Sequence, residues 1–169
     1  MKVILNDNDI KRALTRITHE ILENNNQISN LVLVGIKTRG VYLMQRIADN
    51  IKKFEDFEVD CIELEIDYWR DDYRKSDVKP EINYDFSNKK VVLIDDVLFG
   101  GRTIRAAMDG IISHGRPETI QLAVLVDRGH REFPIRADYV GKNIPTAKVE
   151  RVSVSLMELD GIDKVELNR

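Results

Sequence analysis

Apolar residues recur along this chain in two rhythms. Between residues 7 and 23 they fall at Ile10, Leu14, Ile17 and Ile21, spacings of 4, 3 and 4 that draw one stripe along a helix. Asn6 or Asp7 stands where its cap belongs. Leu31 to Ile36 is an unbroken apolar run closing on a glycine and an isoleucine, the signature of a strand buried on both faces. Thr38 to Lys52, carrying Val41, Leu43, Met44 and Ile47, predicts the helix that follows. Val59 to Trp69 alternates through Val59, Cys61, Leu64, Ile66 and Tyr68, with a slip at Ile62 and Glu63, and reads as a strand. The polar stretch from Arg70 to Lys89 contains Pro80 and predicts a mobile loop or a hairpin. Val91 to Val97 is a second buried strand, Thr103 to His114 a helix and Ile120 to Val126 a third apolar run. A late strand is expected at Val149 to Leu156.

Strands alternating with helices predict an α/β fold, a mostly parallel sheet flanked by helices. There is no repeat, low-complexity tract or Gly/Ser linker, so residues 1–169 are expected to form a single domain. In parallel sheets ligands collect at the carboxyl ends of the strands. Three loops therefore stand out: Lys37 to Gly40, Asp95 to Thr103, and Asp127 to Arg131.

Composition narrows the functional classes. With 43% hydrophobic and 33% charged residues the chain is an ordinary globular one, and a net charge of −3 leaves nucleic-acid binding to a local patch. Cys61 is the only cysteine, which fits a reducing compartment. No run approaches a membrane span, and acids and Asn from Asn6 onward interrupt any signal-peptide pattern. A cytoplasmic location with no membrane partner is the expectation.

The candidate chemistry lies in VVLIDDVLFGGRT, Val91 to Thr103. Neither a P-loop nor a dinucleotide fingerprint is present. Gly100 and Gly101 free the backbone so that N–H groups can converge on an anion. Thr103 adds a hydroxyl and the positive end of a helix dipole. Asp95 and Asp96 sit just upstream, where carboxylates accept hydrogen bonds from hydroxyls. A phosphate with vicinal hydroxyls beside it, such as a ribose 5-phosphate, satisfies both halves.

This stretch resembles the phosphoribosyl-pyrophosphate signature of type I phosphoribosyltransferases. ALTRITHEI (13–21), LVGIKTRGVYL (33–43) and QLAVLVDRGHREFPIRADYVGKNIPT (121–146) are similar to the family of bifunctional pyrimidine-operon attenuation regulators and uracil phosphoribosyltransferases. The likeness runs from about residue 3 to 157 and is weakest between Asp71 and Lys89. It implies the type I phosphoribosyltransferase fold with a small C-terminal hood, formed mainly by about residues 128–169. It also implies transfer of phosphoribose from phosphoribosyl pyrophosphate to uracil, giving UMP and pyrophosphate.

The resemblance implies catalytic roles for Asp95 and Asp96, holding the ribose hydroxyls and stabilising positive charge on the sugar. Val97, Leu98, Phe99, Gly100, Gly101, Arg102 and Thr103 would form the 5-phosphate loop. Lys37, Thr38, Arg39 and Gly40 would form the pyrophosphate loop, where a non-proline cis peptide is expected. Arg70, with Arg74 and Lys75, falls in the segment resembling a catalytic loop that closes over pyrophosphate. Uracil would meet backbone groups near Arg128 and Val152. Mg²⁺ is implied as cofactor, bound through substrate and water rather than a protein side-chain site. The loop departs from the family's usual Tyr-Thr-Gly-Arg-Thr by two hydroxyls, since this chain has Phe99 and Gly100. That departure predicts weakened nucleotide binding.

A second face carries charge. On the polar side of the first helix, Lys11, Arg12, Thr15, Arg16 and His19 lie opposite the apolar stripe. Residues 128–151 hold Arg128, Arg131, Arg136, Lys142, Lys148 and Arg151 against Glu132, Asp138 and Glu150, a local net of +3. The resemblance implies that Thr15, Arg16, His19, His130, Arg131, Arg136 and Lys142 bind the leader of the pyrimidine-operon messenger, with UMP or UTP strengthening that binding. It also implies a homo-oligomer, with a dimer expected. Salvage without RNA binding, or regulation with little catalysis, are the alternatives. A purine-type transferase is disfavoured, because those relatives carry an acid at the position of Phe99.

Overall fold

Asn6 opens the first helix as expected. Its side chain accepts from the Asp9 N–H at 2.9 Å while the Asp9 carboxylate accepts from the Asn6 N–H at 3.0 Å, a reciprocal capping box. Helix α1 then runs Asp7–Asn24 and buries Ile10, Leu14, Ile17 and Ile21, the predicted stripe. The computed structural model describes residues 1–71 and 77–169. Arg74 and Lys75, expected in a loop over pyrophosphate, lie outside the described residues.

Five parallel strands form the main sheet: β2 (Leu31–Ile36), β3 (Asp60–Leu64), β4 (Lys90–Leu98), β5 (Thr119–Asp127) and β6 (Tyr139–Asn143), in the order β3-β2-β4-β5-β6. Helices α2 (Arg39–Glu55) and α3 (Arg102–Ile112) follow β2 and β4. Residues of the central strands divide between the two faces. Leu31, Leu33, Val92, Ile94, Ala123 and Leu125 pack with α1 and α2. Val32, Val34, Val91, Leu93, Leu122 and Val124 pack with α3. Burial on both faces is why these strands read as solid apolar runs.

Strand order reverses between β2 and β4, so the crevice at the carboxyl ends of these two strands is the topological switch point. A second sheet is antiparallel: β1 (Lys2–Leu5), β8 (Lys164–Asn168) and β7 (Arg151–Ser155), in the order β1-β8-β7. A short turn of helix, α4 (Met157–Asp160), joins β7 to β8. Leu5, Val154, Leu156 and Val165 belong to the same core as α1 and α2, so the small sheet shares the main core. It draws β1 from the N-terminus besides the two C-terminal strands.

Three expectations shift. Strand β3 ends at Leu64, and Asp67–Trp69 is a 3₁₀ turn whose Trp69 ring packs on Gly110 of α3. On this edge strand Ile62 packs inward while Cys61 is exposed, the reverse of the face predicted for Cys61. The described residues of the 70–89 stretch contain no strand, so no hairpin is found among them. Ile82, Tyr84 and Phe86, at alternate positions, nonetheless dock on the α3 side of the core, with Phe86 fully buried.

Candidate active site and basic face

The loop after β2 is seated directly on the end of β4. Gly40 is buried, and a Cβ there would stand 2.4 Å from the Ile94 carbonyl oxygen and 3.4 Å from the Asp95 Cα. Only glycine permits that approach. The Lys37–Thr38 peptide is cis, in the loop where such a bond was expected. Lys37 and Thr38 are exposed, and the Lys37 N–H donates to the Leu64 carbonyl at 3.0 Å.

Asp95 is 9% exposed and Asp96 half-buried. The Asp96 N–H donates to Asp95 Oδ1 at 2.9 Å, and the Val97 N–H to Asp96 Oδ1 at 2.8 Å, so local backbone amides fix both carboxylates. Burial first, and then the negative charge of Asp96, push the Asp95 carboxyl well above the ordinary carboxylate range. The positive charge of Arg70 opposes that shift, which places Arg70 beside the pair. Arg70 Nη1 also approaches Thr103 Oγ1 at 3.4 Å.

Past Leu98 the chain turns through Phe99 and Gly100 to Gly101, whose φ of 96° lies in the left-handed region. Gly101 occupies the N-cap of α3, so Arg102 and Thr103 begin that helix with its unpaired N–H groups facing the crevice end. The Arg102 side chain turns away from this cradle. Its Nε donates to Glu132 at 2.9 Å and its Nη1 to Asp71 at 2.9 Å, with the guanidinium over the Phe133 ring. Arg102 therefore leaves its backbone N–H to the cradle, while its side chain ties the loop to Glu132 and Asp71.

The third loop is bound to the second. The Arg128 N–H donates to the Leu98 carbonyl at 3.1 Å, and the Glu132 N–H to the Gly100 carbonyl at 2.8 Å. Arg128 is buried, donating to Thr146 Oγ1 at 3.2 Å and to the Glu150 carbonyl at 2.5 Å, and its guanidinium lies 4.1 Å over the Phe99 ring. His130 meets the edge of Phe99 and bonds the Thr146 carbonyl. Val152 of β7 is half-buried against the first core. The predicted substrate residues of these loops thus gather at the carboxyl ends of β2, β4 and β5, and Val152 stands beside them on β7, which contacts β4.

The basic residues divide. Thr15, Arg16 and His19 lie together on α1. Arg16 donates to the Val140 and Gly141 carbonyls at 3.1 and 2.7 Å, which ties α1 to β6 and brings Lys142 to the same side. Arg131 and Arg136 are exposed on the loop before β6, while His130 belongs to the crevice. A groove of about 650 Å³ runs between α1 and α2, lined by Lys11, Thr15 and His19 on one side and Asn50, Lys53 and Phe54 on the other. His19 stacks on Phe54 at 4.4 Å.

Sequence reasoning missed Glu132, Thr146, Phe54 and Asp160, which accepts from Arg39 Nη2 at 3.1 Å. Thr146 stands within a quoted motif. The Arg39–Asp160 pair is 121 residues apart, a separation no local pattern reports.

An acid pair, a glycine-capped helix start and a loop seated on the strand end share one crevice. Residues 2–158 match the model of the phosphoribosyl transferase domain, and the chain belongs to that family. Its fold matches a hypoxanthine phosphoribosyltransferase of Trypanosoma cruzi with a TM-score of 0.79 at 16% identity, covering 100% of this chain and 97% of that one. One from Staphylococcus aureus gives 0.78 at 21%, covering 99% and 91%. Within the family the chain groups with the bifunctional PyrR proteins. It is 54% identical over 166 residues to bifunctional protein PyrR of Streptococcus uberis, covering 98% of this chain and 96% of that protein. Against bifunctional protein PyrR of Clostridioides difficile it is 53% identical over 169 residues, covering 97% and 96%.

Proposed function

We propose that the chain joins two activities. It transfers phosphoribose from phosphoribosyl pyrophosphate to uracil, giving UMP and pyrophosphate. It also binds the leader of the pyrimidine-operon messenger, more tightly with UMP or UTP, and so attenuates transcription. The observation that carries the first activity is the Asp95–Asp96 pair facing the glycine-capped start of α3 across one crevice.

In this reading Asp95 and Asp96 accept hydrogen bonds from the ribose hydroxyls, while Gly100, Gly101 and Thr103 donate to the 5-phosphate. Burial and the neighbouring Asp96 make the charged form of Asp95 costly, and raise its pKa. Hydroxyl donors relieve that cost, and positive charge building on the sugar relieves it further. The pair thus favours the transition state over the ground state. Lys37, Thr38, Arg39 and Gly40 receive the pyrophosphate, and Arg70 adds positive charge between Asp95 and Thr103.

Among the described residues no three His, Cys, Asp or Glu side chains gather as a metal site. Asp95 and Asp96 offer carboxylate oxygens, the donors Mg²⁺ prefers, and would meet the ion through substrate oxygens and water. When bound, it neutralises charge on the departing pyrophosphate. The base lies near Arg128 and Val152, under the small sheet as a hood on a single domain, whose continuity with the main core supports that arrangement.

RNA binding rests on the α1–β6 face, with Thr15, Arg16, His19 and Lys142, extended by Arg131, Arg136 and His130 toward the crevice. A homodimer pools two such faces. The lone thiol and a messenger partner support a cytoplasmic location; among the described residues no helix is long and apolar enough to cross a membrane. The loop supports weak catalysis in particular, because Gly100 carries no hydroxyl and Glu132 crowds its place. The test is pyrophosphate release with phosphoribosyl pyrophosphate and Mg²⁺. Release that depends on uracil and not on hypoxanthine is expected, and its absence at saturating substrate would remove the enzyme half.

A further inference from the structure

The acidic turn after β7 reaches back to α2 at two points. Arg39, the first residue of α2, gives Nη2 to both carboxylate oxygens of Asp160, at 3.1 and 3.2 Å. Two turns further along, Arg46 gives Nη1 and Nη2 to Asp163 at 3.0 and 2.8 Å, and Nε to Glu158 at 3.0 Å. The turn is also tied internally. Asp160 accepts from the Leu156 N–H at 2.8 Å, and Asp163 from the Met157 N–H at 2.7 Å. The Leu156 N–H first, and then Arg39, hold the Asp160 carboxyl below its ordinary range, so it is charged at neutral pH.

Arg39 belongs to the loop seated on Asp95 through Gly40. A free arginine there would sample many rotamers, and ordering it would subtract from ligand binding. Asp160 removes that freedom through a single nitrogen, leaving the rest of the fork. Arg39 Nε is buried with no acceptor among the described residues, a donor that an anion at this loop would satisfy. Clamping of the turn by Arg46 means that Asp160 holds its place when an anion arrives.

We propose that Asp160 is a positioning residue, orienting Arg39 to receive the pyrophosphate group of phosphoribosyl pyrophosphate. This rests on the proposed transferase reading. It is specific to pyrophosphate, since the 5-phosphate of UMP binds at the start of α3 instead.

Calorimetric titration of phosphoribosyl pyrophosphate with Mg²⁺, and separately of UMP, into the wild type and variants tests it. Asp160→Ala is expected to weaken phosphoribosyl pyrophosphate about tenfold and leave UMP unchanged. Asp160→Asn keeps an acceptor for both Leu156 and Arg39 and is expected to fall between, which covers the case of an unfolded alanine variant. Glu158→Gln weakens one partner of Arg46 while Asp163 keeps the turn clamped and Arg39 is untouched, and it should lower Tm while leaving phosphoribosyl pyrophosphate affinity at the wild-type value. Equal weakening of both ligands, no change, or tighter phosphoribosyl pyrophosphate binding in the Asp160 variants would overturn the assignment. A wild type that binds neither ligand would instead overturn the transferase reading, and the role of Asp160 with it.

Discussion

Restoring a hydroxyl at position 100 probes the phosphate loop most sharply, because the structure changes what Gly100→Thr should do. A threonine there adds a donor toward the 5-phosphate, about 0.5–1.5 kcal/mol, or about 2- to 12-fold in Kd. A Cβ at Gly100, however, meets Glu132 Oε1 at 2.8 Å and its Cδ at 3.2 Å. The Glu132 and Phe133 N–H groups both donate to the Gly100 carbonyl, at 2.8 and 3.2 Å, so the backbone is held and only the Glu132 side chain can yield. Yielding breaks its bond to Arg102 and leaves a carboxylate loose beside a phosphate site. The gain from the hydroxyl is therefore masked while Glu132 is present. UMP titrations of the wild type, Gly100→Thr, Glu132→Ala and the double variant form a cycle that isolates this coupling. Gly100→Thr alone should change Kd by less than twofold, whereas the same substitution on Glu132→Ala should tighten UMP by about 2- to 12-fold. An equal effect in both backgrounds would refute the steric argument, and no tightening in either would refute the placement of the 5-phosphate.

Asp95→Asn should lower kcat by about 10²- to 10³-fold, the usual cost of one electrostatic stabiliser. The same variant should be more stable at neutral pH. The folded protein holds the Asp95 proton above the ordinary carboxylate value of 3.8, so wild-type stability falls as pH rises from there through the folded pKa. Thermal melts should show the stability gain at pH 8 and its shrinkage toward pH 5; a gain that grows on acidification would contradict the sign. Gly40→Ala should destabilise by about 1–3 kcal/mol in urea melts, since its methyl group meets backbone at Ile94 rather than a side chain that can move. Arg16→Ala should lower both Tm and RNA affinity, because it severs two bonds to β6, while Lys142→Ala should lower RNA affinity alone and reduce the salt slope by about 1. Equal melting of these two variants would argue against the tie to β6.

The parts of the fold that were legible are those where burial leaves a periodic mark. Helix α1 could be read because its stripe meets one continuous core, and β2, β4 and β5 because both of their faces are covered. Strands β1, β6 and β8 left no such mark. Each spans four or five residues with few buried side chains, and β6 substitutes a glycine where a Cβ would stand 2.4 Å from the Leu125 carbonyl oxygen. The slip at Ile62 and Glu63 hid the true facing of β3, an edge strand with only one well-buried position, Leu64. In the site, the acids, the glycines and the β2 loop stood out because backbone geometry dictates their residue types. Glu132 beside Gly100 and Asp160 on Arg39 did not, since a surface carboxylate chooses its partner through the fold rather than through spacing. The Phe99-Gly100 departure was visible in the sequence, but its cause for interest changed: Arg128 lies over the Phe99 ring, and a carboxylate crowds the place of the missing threonine side chain.

Because nucleotide and RNA are held to stabilise the same state, their binding must be coupled in both directions. The direct test is titration of the chain's own operon leader RNA, at one fixed low salt concentration, with and without saturating UMP. The account predicts binding in both conditions and a lower Kd with UMP. Identical affinities, or no binding at low salt, would contradict it.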